Sequence, residues 1–98
     1  MPNLDAIDRL AHEILTSSTS FASDRNLCVL GKATDIGLIG PNDWEEQLAD
    51  ALGVKVEDIS PLCFYSGWRS NNLWKMGYDD VTTTRLFAAK RVLQLREL

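Results

Sequence analysis

Residues 43–60 read DWEEQLADALGVKVEDIS, and the way this stretch divides into helices decides the fold. Asn42 or Asp43 is placed to cap a helix, Glu45 and Glu46 suit the positive end of its dipole, and Trp44, Leu48, Ala49 and Leu52 line one face. Gly53 supplies the left-handed residue that commonly ends a helix. After VKVED, the pair Ser60-Pro61 repeats a start signal, a cap followed by proline at the first helical position. The spacing therefore predicts a fourth helix with Leu62, Phe64, Tyr65 and Trp68, carried through NNLWKM to Gly77.

Working outward, residues 3–16 place Leu4, Ile7, Leu10, Ala11, Ile14 and Leu15 at three- and four-residue spacing, with Asn3 as cap. Residues 17–22 form a linker, because the hydroxyls of SSTS compete for backbone hydrogen bonds and stop the helix. Ser23 is expected to cap a second helix with Leu27, Leu30, Ala33 and Ile36, ending near Gly37, although the short apolar run NLCVLG also suits a strand. Asp79 or Asp80 opens the last helix, VTTTRLFAAKRVLQLREL. There Val81, Leu86, Ala89, Val92 and Leu93 are expected inside and Arg85, Lys90, Arg91 and Arg96 outside. Residues 23–98 thus supply the remaining helices of a single domain over 1–98. The expectation is an all-α fold, a small orthogonal bundle of five or six short helices around Trp44, Leu48, Phe64, Trp74 and Leu86.

A chain of 98 residues buries one core, and 45% apolar with 24% charged residues is an ordinary globular balance. No apolar run approaches the ~20 residues of a membrane helix. The opening MPNLDAIDRL is acidic where a secretory signal is basic and apolar, so a cytoplasmic location is expected. Cys28 and Cys63 lack framework spacing and read as reduced core thiols.

Charge is unevenly spread. Residues 1–60 carry eleven acidic against four basic side chains, a balance of −7, and residues 61–98 carry six basic against three acidic, a balance of +3. Such lopsidedness favours a charged partner or association of one copy with another. The candidate docking residues are acidic Asp5, Asp8, Glu45, Glu46 and Asp50 on the first and third helices, and basic Arg85, Lys90 and Arg91 on the last. Trp68 and Arg69, in SGWRSN, have the composition of an interface anchor.

Reaction chemistry has little support. His12 is the only histidine and reads as a surface residue of the first helix, and the cysteines, 35 positions apart, make no zinc pattern. No Gly-x-Ser-x-Gly elbow or Gly-Lys-Ser/Thr phosphate loop occurs. The expectation is a non-catalytic chain with no cofactor and no metal, acting as an adaptor for another protein. The rival reading is a small helix-turn-helix or phage-type regulator acting on DNA or on a nucleic-acid enzyme, with QLADALGVKVEDIS as the helical pair. Against it stand Pro61 inside the would-be reading helix, the acidic Glu57 and Asp58, and a sequence pI near 4.8.

Two family patterns bear on the same residues. The run from LGVKVEDISP to MGYDDVTTTRL resembles acyl and peptidyl carrier proteins at Leu52, Gly53, Val54, Asp58, Ile59, Pro61, Gly77 and Asp79, but Asp80 stands where the pantetheine-bearing serine belongs. Residues 43–93 resemble death-domain helices at Trp44, Leu48, Ala49, Leu52, Gly53, Asp58, Ile59, Trp74 and Leu86, with one extra residue between Trp44 and Leu48. That second resemblance implies an adaptor that assembles through oppositely charged faces.

Overall fold

The computed structural model describes residues 1–21, 27–63 and 82–98. Among these the fold is all-α, with five helices and no strand: α1 (Leu4–Thr16), α2 (Val29–Asp35), α3 (Glu45–Leu52), α4 (Val56–Cys63) and α5 (Thr82–Gln94), the last followed by a 3-10 turn, Leu95–Glu97. None of the described helices is long and apolar enough to cross a membrane. The expected cap Ser23 and core residues Phe64 and Trp74 lie outside the described residues, as do Trp68, Arg69 and the caps Asp79 and Asp80.

α1 forms over the span its spacing predicts, but Leu4 and Leu15, expected on the apolar stripe, sit at the two ends of the helix and are 46% and 41% exposed. The Asn3 side chain accepts a hydrogen bond from the Ala6 N–H at 3.2 Å, and Ala6, Ile7, Leu10, Ala11 and Ile14 make one buried stripe. α5 packs most extensively on that stripe, through Ala88, Ala89, Val92 and the following Leu95. With Ala88 and Ala89 on the inner face, Leu86 and Leu93 turn outward; the two are 54% and 39% exposed rather than core. α2 is a helix rather than a strand, but it starts at Val29 behind Cys28, a buried thiol.

The opening stretch divides differently from its sequence reading. Asp43 does not cap α3. It accepts from the Gly40 N–H at 2.7 Å while its own N–H donates to the Gly40 carbonyl, closing a turn. Trp44 takes the N-cap position in extended conformation, and its N–H donates to the Gln47 side-chain oxygen at 3.0 Å. A residue ahead of the helix does not follow the helix's phase, so Trp44 is 47% exposed and the buried face is Leu48, Ala49 and Leu52. α4 opens at Val56, where the Asp58 carboxylate accepts from the Lys55 N–H, so Ser60 and Pro61 fall inside the helix.

Both α2 and α3 end in a Schellman arrangement. Leu38 and Gly37 donate to Ala33 and Thr34, Val54 and Gly53 donate to Ala49 and Asp50, and both glycines are left-handed at φ 78° and 70°. Their surroundings differ. A Cβ on Gly37 meets nothing within 4 Å, whereas one on Gly53 lies 2.4 Å from the Met1 carbonyl oxygen and 3.0 Å from the Asn3 nitrogen. We expect Gly37→Ala to cost ~1–2 kcal/mol from backbone conformation alone, and Gly53→Ala about twice that because backbone must also move. Urea midpoints of the two variants give the comparison, and equal losses would refute the packing argument.

Candidate functional site

The site-bearing faces are positioned by what holds the carbonyl ends of the helices. α1 has no basic residue in its last turn, so the cations come from elsewhere. Arg85 of α5 donates from Nη1 to the carbonyls of Ile14 and Ser17, each at 3.0 Å, and from Nη2 to Thr19 at 2.8 Å. Lys32 of α2 is fully buried, and its ammonium donates to the Thr19 carbonyl at 2.9 Å, the Ser20 carbonyl at 2.8 Å and the Ser17 hydroxyl at 3.4 Å. The SSTS segment is thus a strap gripped by two cations that share the Thr19 carbonyl, and Phe21 anchors its end in the core. Arg85, expected wet, is half-buried and engaged with the fold's own backbone.

The remaining candidate residues are dispersed. Asp8 on α1 pairs with Arg96 beyond α5; that hydrogen bond and the Asp8 charge push the guanidinium above its usual value. Asp5 and Asp50 are exposed near the junction where the start of α1 meets the end of α3, while Glu45 and Glu46 open α3 at its far end, about 10 Å away along the helix. Glu46 is exposed and Glu45 half-buried. Lys90 and Arg91 are exposed on α5, and the Arg91 guanidinium lies 5.9 Å from the centre of the Phe87 ring, within cation–π range. His12 is exposed, as expected of a surface residue.

What the sequence reading misses is an apolar groove between the end of α1 and the outer face of α5. It encloses about 350 Å³ and is lined by Leu15, Leu86, Ala89 and Leu93, with Lys90, Gln94 and Glu97 at its edge. Ala89 forms a buried floor, and the three leucines stand exposed around it. The signal was present in α5: Leu86, Phe87, Ala88, Ala89, Val92 and Leu93 run round the helix, more apolar surface than one packed face accommodates. A second hollow, lined by Asp8, Arg9, His12, Glu13 and Ile36, is mostly charged.

No protein-family profile, curated protein or solved structure matches this chain.

The strap makes a quantitative prediction. Lys32→Met keeps the buried stem but removes the ammonium, and it should cost about 1.5–3 kcal/mol, as for other hydrogen bonds to charged groups. Arg85→Met should cost a similar amount, and because both cations serve the Thr19 carbonyl, a double-mutant cycle should show coupling above ~0.5 kcal/mol. Chemical denaturation of the four proteins measures both; additive losses, or a Lys32→Met variant as stable as the parent, would remove the strap from this role.

Proposed function

We propose that this chain is an interaction module without a reaction of its own, docking another protein through the α1–α5 groove. The observation that carries this is the exposure of Leu15, Leu86 and Leu93 around one buried floor, with Lys90 and Glu97 at the edge. An apolar hollow with Lys90 and Glu97 at its edge suits an amphipathic helix, whose apolar ridge fills the groove and whose polar flanks meet the two charges. The all-helical fold is compatible with the adaptor role that the death-domain likeness of residues 43–93 implies. Of the charged residues first considered, Lys90 remains with this surface, while Arg85 serves the strap and Arg91 stands over Phe87.

One observation favours the rival reading. α3 and α4 are separated by Gly53, Val54 and Lys55 alone, the short connection of a helix-turn-helix pair. The first turn of α4, which would approach the bases, instead carries Glu57 and Asp58. Phosphate repulsion therefore weighs against duplex binding.

The two readings separate in a pair of assays. At low salt, a random-sequence DNA duplex should run unshifted in the presence of the chain. A protein retained from source-cell extract by the parent chain should be lost from a Leu86→Glu/Leu93→Glu variant, whose substitutions are at exposed positions and should leave the helical circular dichroism unchanged. A salt-sensitive gel shift, or retention indifferent to the double variant, would overturn the proposal.

A further inference from the structure

The lining of the α1–α5 groove is spaced as the receiving side of a helix–helix contact. Leu86, Ala89, Lys90 and Leu93 stand at positions i, i+3, i+4 and i+7 of α5, the four residues that form the hole into which a facing helix inserts a side chain. Ala89 is buried and short, so this hole has a low floor between two exposed leucine walls. Lys90, Leu93, Gln94 and Glu97 repeat the spacing one turn further on, into the 3-10 turn. Two successive holes, bounded by Leu15 of α1, receive a row of side chains at helical spacing rather than a single anchor. α1 and α5 run antiparallel, since Arg85 near the start of α5 reaches the end of α1 and Arg96 beyond α5 meets Asp8.

The charges at the edge are placed in step with this row. Lys90 and Glu97 lie seven positions apart, roughly 10 Å along the axis and on one side of the helix. Both are exposed, and among the described residues neither has an ion pair, while Asp8 and Arg96 neutralise each other.

We propose that the occupant of the groove is a helix of a different protein, with an apolar ridge flanked by one acidic and one basic residue seven positions apart. The acid meets Lys90, the base meets Glu97, and this pair sets the direction in which the helix lies. This rests on the groove being the docking surface and specifies what docks there. A second copy of the chain offers the same hollow, and two hollows floored by Ala89 do not fill each other, so the ridge comes from another chain. A wholly acidic flank would meet Glu97 and a wholly basic one Lys90, so the flank carries both signs. A helix favours an acid towards its N-terminus and a base towards its C-terminus. With that order the charges match only when the helix runs parallel to α5, and hence antiparallel to α1, whose opposed dipoles leave no preference of their own.

The probe is a capped peptide of about 18 residues, long enough to hold a helix, with two ridge leucines four positions apart and a flanking glutamate seven positions before a lysine. Titrated into the methyl-labelled full chain, it should shift the Leu86 and Leu93 methyl signals with a dissociation constant of about 0.1–1 mM. Replacing the ridge leucines by glutamine should abolish the shifts. Two glutamates or two lysines on the flank should weaken binding about three- to tenfold, the size of an exposed ion pair lost or reversed. A nitroxide at the peptide N-terminus should broaden the Leu86 methyls more than those of Leu93. In a Lys90→Glu/Glu97→Lys variant, changed only at exposed positions and checked by circular dichroism, the same peptide should bind as tightly with the broadening moved to Leu93.

Equal binding whatever the flank, or broadening that stays at Leu86 in the charge-swapped chain, would overturn the proposal and leave docking at the groove intact. Methyl shifts produced by concentrating the chain alone would overturn it by making a second copy the occupant. Failure of every ridge peptide to bind would overturn it too; if retention of the extract protein is then also indifferent to Leu86→Glu/Leu93→Glu, the docking reading falls with it.

Discussion

The described fold depends on where the carbonyl ends of its helices find donors. A helix leaves its last four carbonyls without intrahelical partners, and in a protein of short helices these ends are a large share of the backbone. Here much of the answer is given across the fold rather than within each helix. The end of α1 and the strap beyond it receive Arg85 and Lys32 from α5 and α2. The carbonyl of Ile36, just past α2, receives Arg9 from α1 at 3.1 Å. At the end of α3 the accounting is complete: Val54 and Gly53 serve Ala49 and Asp50, while the side chain and N–H of Asn3 serve Ala51 and Leu52 at 3.3 and 2.8 Å.

These bonds make α1 the centre of the molecule. Asn3 caps the start of α1 and the end of α3 together, so neither terminus is satisfied without the other. α2 and α3 span seven and eight residues, shorter than the ~12–15 that an isolated helix needs to persist in water, and their stability is tertiary. Lys32 shows the same logic in the interior. A buried ammonium is costly, yet three oxygens of the strap meet its three donors, and its aliphatic stem occupies the core.

This arrangement also sets what was legible in the sequence. Local rules located α1 almost to the residue through Asn3 and the Ile7–Ile14 stripe, and they placed the glycine stops of α2 and α3, because a cap and a left-handed turn are decided within a few residues. The same rules misplaced Trp44, since a cap residue and a first helical residue look alike in the periodicity. They misjudged Ser60-Pro61, a proper start signal that the earlier Lys55–Asp58 cap overrides. Arg85 was read as wet because cations at exposed spacing usually are; that its acceptors lie 66 to 71 positions earlier in the chain is invisible to any local pattern.

The groove follows from that long-range pairing. Because the Arg85 guanidinium must reach the end of α1, the rotation of α5 about its own axis is fixed at that point. Ala88, Ala89, Val92 and Leu95 then take the inner face, and small residues there let the two helices approach closely. Leu86 and Leu93, seven positions apart and so on one side of the helix, are left outside beside Leu15, with Lys90 between them. A rotation that buried both leucines would carry Arg85 away from the carbonyls of Ile14 and Ser17 and leave the end of α1 to water. The exposed leucines are thus a consequence of satisfying backbone polarity, and the apolar groove stands open because the cation at residue 85 is turned inward.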